Sequence, residues 1–331
     1  MKLETVLITG SLGQDARLLV ELLSKKEILF VCTSKNKLKS QLLYKGLKAS
    51  IFHEHLDITN TDNFAALVQK YRPNRIFNFA GLSSVWRSFS KPLEYQEVNG
   101  SSVERILLRL HNDNLLGQIK FYQASSSEIF DPSEKEARSE ISTKKPQSPY
   151  GASKLYALEV CQDFRLEKGY FVCSGILFNH ESEHRGEEFL FGNVMNSLAR
   201  IKCGKQEYLT VGNLDAQRDW GYARDFVRAL DLMTSCDTPE DYVVATGKLH
   251  SVKEVIALSH KTSNISTPLS DILVISDNNL RTKDHSTLRG NSEKIYRTLG
   301  WKPNYTFEAM VQQIQTRVLK KNCEESNSTY E

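Results

Sequence analysis

Residues 5–9, TVLIT, are β-branched and apolar, and Gly10 ends them at once. GSLGQDARLLVELLSK follows, with glycines at 10 and 13, a small Ala16, and leucines at 18, 19, 22 and 23. A buried strand that turns on glycine straight into an amphipathic helix leaves few folds open. The first glycine permits a tight turn. The second lets backbone N–H groups approach a pyrophosphate, and Ala16 lets helix and strand pack closely. An ordinary strand-to-helix turn uses the same residues, so the rest of the chain has to decide.

Strands are expected at 28–33, 50–57, 75–80, 120–125 and 171–178, separated by helices at 15–25, 63–72, 96–111 and 150–168. That alternation predicts an α/β fold, a Rossmann-like doubly wound parallel sheet. The expected division has a dinucleotide-binding domain over 1–178, with 210–248 returning to it through YVVATG at 242–247. A smaller mixed α/β substrate-binding C-terminal domain takes 179–209 and 249–322. Within it, 262–292 is read as a loop over a site, 306–320 as an amphipathic helix, and 323–331 as a disordered polar tail.

Composition narrows the function classes. With 43 basic and 40 acidic residues the net charge is 43 − 40 = +3, too weak to argue for nucleic acid. No apolar stretch reaches transmembrane length, and the short apolar run at the N-terminus is not a signal peptide. Six cysteines with no CxxC spacing read as reduced thiols, with no metal centre, in a cytoplasmic protein.

Strand two ends in Cys32, Thr33, Ser34, Lys35, Asn36, Lys37. An NAD site wants a carboxylate there for the ribose hydroxyls. Hydroxyls and lysines suit a 2′-phosphate, which favours NADP over NAD. Asp57, in HLDIT, has two open readings, an adenine contact or a helix N-cap region.

SPYGASKLYA places Tyr150 and Lys154 four apart on one helix face. A nearby ammonium is expected to lower the phenol pKa and make the pair a proton-transfer group. Upstream, QASSSEIF puts Ser126 at the tip of a strand and Glu128 two residues on. Ser, Tyr and Lys in this order after a glycine turn resemble the extended short-chain dehydrogenase/reductase superfamily. A carboxylate beside the serine adds a second base. Once a sugar C4 hydroxyl is oxidised, the C5 proton is acidic, and Glu128 has two open readings, the base that takes it and helps expel the C6 hydroxyl as water, or a solvated residue at a helix start.

Longer blocks are more specific. KFYQASSSEIF, PQSPYGASKLYA, GILFNHESEHRGEEF, GNLDAQRDWGYARDFVRALDLM, VVATGKLHSVKEV and LGWKP closely resemble GDP-mannose 4,6-dehydratases, from the glycine turn to Pro303. The resemblance implies C4 oxidation, C5-proton abstraction with loss of water from C6, and hydride return to C6. It implies catalytic roles for Ser126, Glu128, Tyr150 and Lys154. It also implies cofactor contacts at Gly10, Leu12, Gly13, Gln14, Asp15, Thr33, Ser34, Lys35, Asp57, Ile58 and Ala80, with Tyr150 and Lys154. Substrate contacts are implied at Ser83, Asn179, Arg185, Gly212, Arg218, Arg281 and Asp284, for a GDP-sugar whose hexose or heptose is open. A homodimer or homotetramer is expected on the same ground.

Departures bear on the substrate. Where the family has a hydroxyl residue, Arg and Lys after GEEF, this chain has FLFGNV, so Gly192 and Asn193 replace both basic residues. The family's paired arginines after strand two are Ser34 and Lys35 here. Its aromatic–glycine after the catalytic glutamate is Phe130–Asp131, which implies a different turn. A nucleotide-sugar 4-oxidoreductase or epimerase, or a non-catalytic nucleotide-sugar-binding protein, remains an alternative at this stage.

Overall fold

The computed structural model describes residues 3–276 and 287–327. Seven strands form one parallel sheet: β1 (Glu4–Thr9), β2 (Ile28–Ser34), β3 (Ser50–His55), β4 (Arg75–Asn78), β5 (Lys120–Ser126), β6 (Val172–Leu177) and β7 (Tyr242–Val244). Their order is β7-β6-β5-β4-β1-β2-β3, and every neighbouring pair is parallel. The order reverses between β1 and β4, and ligands of such sheets bind at the strands' carboxyl ends near that point.

Alternation along each strand builds two cores. Val6 and Ile8 of β1 point to a layer formed by α1 (Gln14–Leu23) and, later in the chain, Ala223–Ser235. Leu7 points to the opposite layer, built from α2 (Thr61–Tyr71), α3 (Ser102–Asn112) and α4 (Pro149–Leu166). The expected helix at 96–111 starts differently: Gln96–Ser101 is a π-helical turn that leads into α3. A third core joins α5 (Leu190–Lys202), α7 (Val252–Thr262) and α8 (Phe307–Asn327), with α6 being Ala223–Ser235. Ser251 and Glu254 cap α7 reciprocally, the S-x-x-E signature of SVKE.

The segment 210–248 is shared between units. β7 pairs with β6, and α6 packs against α1. Leu209–Val211 instead pairs in parallel with Leu273–Ile275, inside the stretch expected as a loop. Helix α8 runs past Cys323 to Asn327, into the stretch expected as a disordered tail.

The six-thiol expectation is corrected. Cys203, at the C-terminal end of α5, is bonded to Cys323 on α8, and the packing of these helices brings the two Cα atoms to 6.2 Å. A separation of 120 residues carries no spacing motif that would reveal the pair. Cys32, Cys161, Cys173 and Cys236 are free. Among the described residues no helix is long and apolar enough to cross a membrane.

Buried carboxylates tie the layers together. Asp241, beside β7, accepts two bonds from Arg165 of α4 at 2.8 and 2.6 Å, one from Gln162, and one from the Ser174 backbone. Arg165→Ala leaves this carboxylate buried without its cation, which costs on the order of 3–5 kcal/mol. A urea titration should show that loss as a lower midpoint with an unchanged slope.

Candidate active site

At the end of β1 the chain turns on Gly10, at φ 65°, and a Cβ there would lie 2.8 Å from the Ala80 nitrogen. Only glycine fits this approach of the first turn to the β4 end. Gly13 N–H donates to the Gly10 carbonyl at 2.9 Å, and Ala16 is fully buried under the turn. Leu12 is half-buried beside them. Ala80 N–H donates to the Thr9 hydroxyl. The cradle fits the pyrophosphate of a dinucleotide.

The β2 end supplies the neighbouring corner. Thr33 is buried, and its hydroxyl has no hydrogen-bond partner. Ser34 donates to the Asn36 carbonyl, and exposed Lys35 pairs with Asp57 at 2.8 Å. Asp57 also accepts from the backbone and hydroxyl of Thr59, whereas the cap of α2 is Asn60, so the N-cap reading of Asp57 is corrected. Ile58 is buried behind it.

The reacting end is assembled by one close approach. Pro149 and the Ser148 side chain start α4, Ser148 accepting from Gly151 N–H at 3.0 Å. A Cβ on Gly151 would fall 2.3 Å from the Glu128 carbonyl oxygen. Glycine therefore lets the helix butt against the turn after β5, and Tyr150 and Glu128 meet in one cleft. Ser126 caps that turn, accepting from Glu128 N–H at 3.3 Å, and its hydroxyl is close enough to the Tyr150 phenol to favour the ionised form. Asp131 is not among the residues with positive φ; its carboxylate instead accepts from Ser133.

The expected lowering of the phenol pKa by Lys154 is not found in the protein alone. Burial pushes Tyr150 up to about 12; the Ser126 bond opposes this and the Glu128 charge adds to it. Lys154 Nζ donates to the Ala124 carbonyl at 3.0 Å and lies 5.9 Å from the Tyr150 ring centre. Burial depresses Lys154 itself to about 8, with Asp15 opposing.

These groups line a cleft of about 640 Å³ between the sheet and the third core. Ser83, Asn179, Arg185, Gly212 and Arg218 line it too. Arg185 pairs with buried Glu181 at 3.1 Å and stacks on Phe189 at 3.7 Å. Arg281 and Asp284 lie outside the described residues. Gly192 and Asn193 differ in kind: a Cβ at 192 would sit 2.2 Å from the Gly186 carbonyl oxygen, while Asn193 lines the cleft and donates to Thr210. Position 192 serves packing, and a side chain there requires the Gly186 backbone to withdraw.

Sequence reasoning missed the link between the two halves. Asp15 does not point free at a cofactor; both its oxygens lie 3.1 Å from His180 Nε2, and His180 stacks on Phe226. Gln14 donates to the His180 carbonyl and accepts from Ser182. The glycine turn is thereby fastened to Asn179–Glu181, the strand that enters the second unit. The signal was present in NHES, of which only Asn179 had been singled out.

A family model described as GDP-mannose 4,6 dehydratase matches residues 7–314. The GDP-mannose 4,6 dehydratase of Homo sapiens is 34% identical, over 93% of this chain and 89% of its own length. The GDP-mannose 4,6 dehydratase 1 of Arabidopsis thaliana is 35% identical, over 93% and 88%. Among solved structures, RMD from Pseudomonas aeruginosa complexed with NADPH superposes with a TM-score of 0.79 at 20% identity, over 96% of this chain and 99% of that one. The dTDP-glucose 4,6-dehydratase of Bacillus anthracis, in complex with NAD, gives 0.79 at 19%, over 97% and 98%. At these identities the two structures establish the fold; the family model and the curated relatives carry the rest. The family model over residues 7–314 and relatives 34 and 35% identical along nearly the whole chain show that the chain belongs to the GDP-mannose 4,6-dehydratase family.

Proposed function

We propose that this chain is an NADP-dependent lyase, a GDP-sugar 4,6-dehydratase acting on GDP-mannose or a close GDP-hexose or heptose. The observation that carries this is the meeting of Ser126, Glu128 and Tyr150 where Gly151 lets α4 touch the Glu128 carbonyl. Relatives named GDP-mannose 4,6 dehydratase along nearly the whole chain support it.

In this reading Ser126 holds the sugar O4 and Tyr150 takes its proton. The glycine turn would hold a nicotinamide cofactor, which would supply hydride exchange at C4 and C6 without being consumed. With C4 a ketone, Glu128 takes the C5 proton and delivers it to O6, the C6–O6 bond breaks, and water leaves; a proton later returns to C5. Lys154, cationic below about pH 8, favours negative charge on the tyrosine. Arg185 and Arg218 receive the diphosphate, with Ser83, Asn179 and Gly212 around the rest of the nucleotide sugar. We assign the glycine turn, Gly10 to Asp15, to the cofactor, and Lys35 and Ser34 to its 2′-phosphate. Nucleotide-sugar binding is assigned to 179–209 and 249–322, the location to the cytoplasm, and the assembly to a homodimer or homotetramer.

A second reading, a 4-oxidoreductase or epimerase, draws on the charge missing at Gly192 and Asn193. Stoichiometry separates the two: a reductase consumes NADPH mole for mole, and a dehydratase does not.

Glu128→Gln should abolish dehydration of GDP-mannose while partial oxidation at C4 persists, read as reduced-cofactor absorbance without the deoxy product. Near wild-type dehydration by this variant would defeat the reading. Lys35→Ala should weaken NADP about tenfold and leave NAD binding unchanged, in line with the loss of one charge-assisted contact; an equal loss for both cofactors would remove the 2′-phosphate assignment.

Lys154→Met should be inactive yet melt no lower than wild type at pH 7. Burial holds the folded pKa near 8, below the unfolded value, so at neutral pH the unfolded state binds the proton more readily and the charge costs stability. That cost fades as pH rises from about 8 towards the free lysine range. A thermal-melt series should therefore show the variant's advantage shrinking across that window.

A further inference from the structure

The loop after β4 carries an exposed tryptophan on a backbone that is firmly held. Asn99, buried in the π-helical turn before α3, accepts from Leu82 N–H at 2.8 Å and donates to the Leu82 carbonyl at 2.9 Å. The Tyr95 hydroxyl donates to the Ser84 carbonyl at 2.7 Å, and the Ser84 hydroxyl accepts from Arg87 N–H. Buried Ser88 donates to the Val85 carbonyl at 2.6 Å. Trp86 is nonetheless 65% exposed. A single exposed apolar side chain needs no partner, but an indole on so firmly held a backbone offers a fixed surface to whatever lies against it.

Position says what that is. Trp86 and Arg87 both line the cleft, whereas the neighbouring exposed Phe89 and Leu93 do not. Among the described residues no carboxylate forms an ion pair with Arg87. Its charge is felt at Tyr95, where burial raises the phenol pKa and Arg87 is among the groups that lower it. The Tyr95 ring in turn meets the Tyr150 ring edge-on, with centres 6.3 Å apart. Through Tyr95, Arg87 is therefore near the reacting Tyr150, and Trp86 and Arg87 share the cleft with it.

We propose that Trp86 and Arg87 form the outer wall of the sugar subsite, the indole lying against the C–H face of the pyranose ring and the guanidinium taking ring hydroxyl oxygens. This rests on the GDP-sugar reading above and names residues that set its sugar specificity. A pyranose offers one face of C–H bonds and a rim of oxygen acceptors, which an aromatic face and a planar donor fork complement.

The test is calorimetric binding of GDP and of GDP-mannose to the full chain carrying Glu128→Gln and loaded with NADPH, so that neither oxidation at C4 nor dehydration intervenes. Adding Trp86→Ala should weaken GDP-mannose about tenfold and leave GDP unchanged, and Trp86→Phe should restore most of the loss. Arg87→Gln should act in the same direction, and the size-exclusion elution volume should not move. An equal loss for GDP and GDP-mannose would overturn the proposal, because the contact would then be to the nucleotide or to the fold. Unchanged GDP-mannose binding, or a shift in oligomeric state, would overturn it too. If the Glu128→Gln parent binds neither ligand, the GDP-sugar reading itself falls, an outcome distinct from failure of the wall alone.

Discussion

The contact between Gly151 and the Glu128 carbonyl organises the site. Helix α4 starts at Pro149 under the Ser148 cap, and with no side chain at 151 its first turn rests on the backbone that follows β5. A methyl group there would push Tyr150 away from Ser126 and Glu128, although none of the three would have changed. A second fastening, Asp15 to His180, ties the dinucleotide turn to the strand that leads into the third core. In the proposed reaction, proton transfer between sugar and protein depends on the first contact, and the relative placement of cofactor and sugar on the second.

Much of the fold was legible because strands alternate between two buried faces and helices repeat at their own period. Val6, Leu7 and Ile8 divide between two cores as that pattern requires. The glycine turn, Tyr150 with Lys154, and Glu128 two residues past Ser126 were legible as local spacings. What escaped were relations across the sequence. His180 meets Asp15 from 165 residues away, and Cys203 meets Cys323 across 120. The phenol pKa also went the other way: helix spacing placed an ammonium nearby, but burial raises the phenol, and Lys154 gives a proton to the Ala124 carbonyl.

The departures from the family pattern act through space as well as charge. Gly192 is not an open position waiting for a cation; the Gly186 backbone occupies the place of its Cβ. Asn193 turns its amide to the Thr210 carbonyl. Glu187 and Glu188 line the same cleft, and Glu187 is met by Arg200. Neither Gly192 nor Asn193 adds a cation to the cleft, and in the proposed complex Arg185 and Arg218 face the anionic ligand. Trp86 and Arg87 line the same cleft, and in the proposed complex they add an aromatic surface and a cation beside the sugar.

The central claim is that Glu128 exchanges a proton with C5 of a GDP-sugar. Proton NMR of the protein with NADP and GDP-mannose in D₂O tests it most directly. The account predicts a 4-keto-6-deoxy product carrying deuterium at C5. A deoxy product that keeps its original C5 proton, or full turnover with no loss of the C6 oxygen, would contradict it.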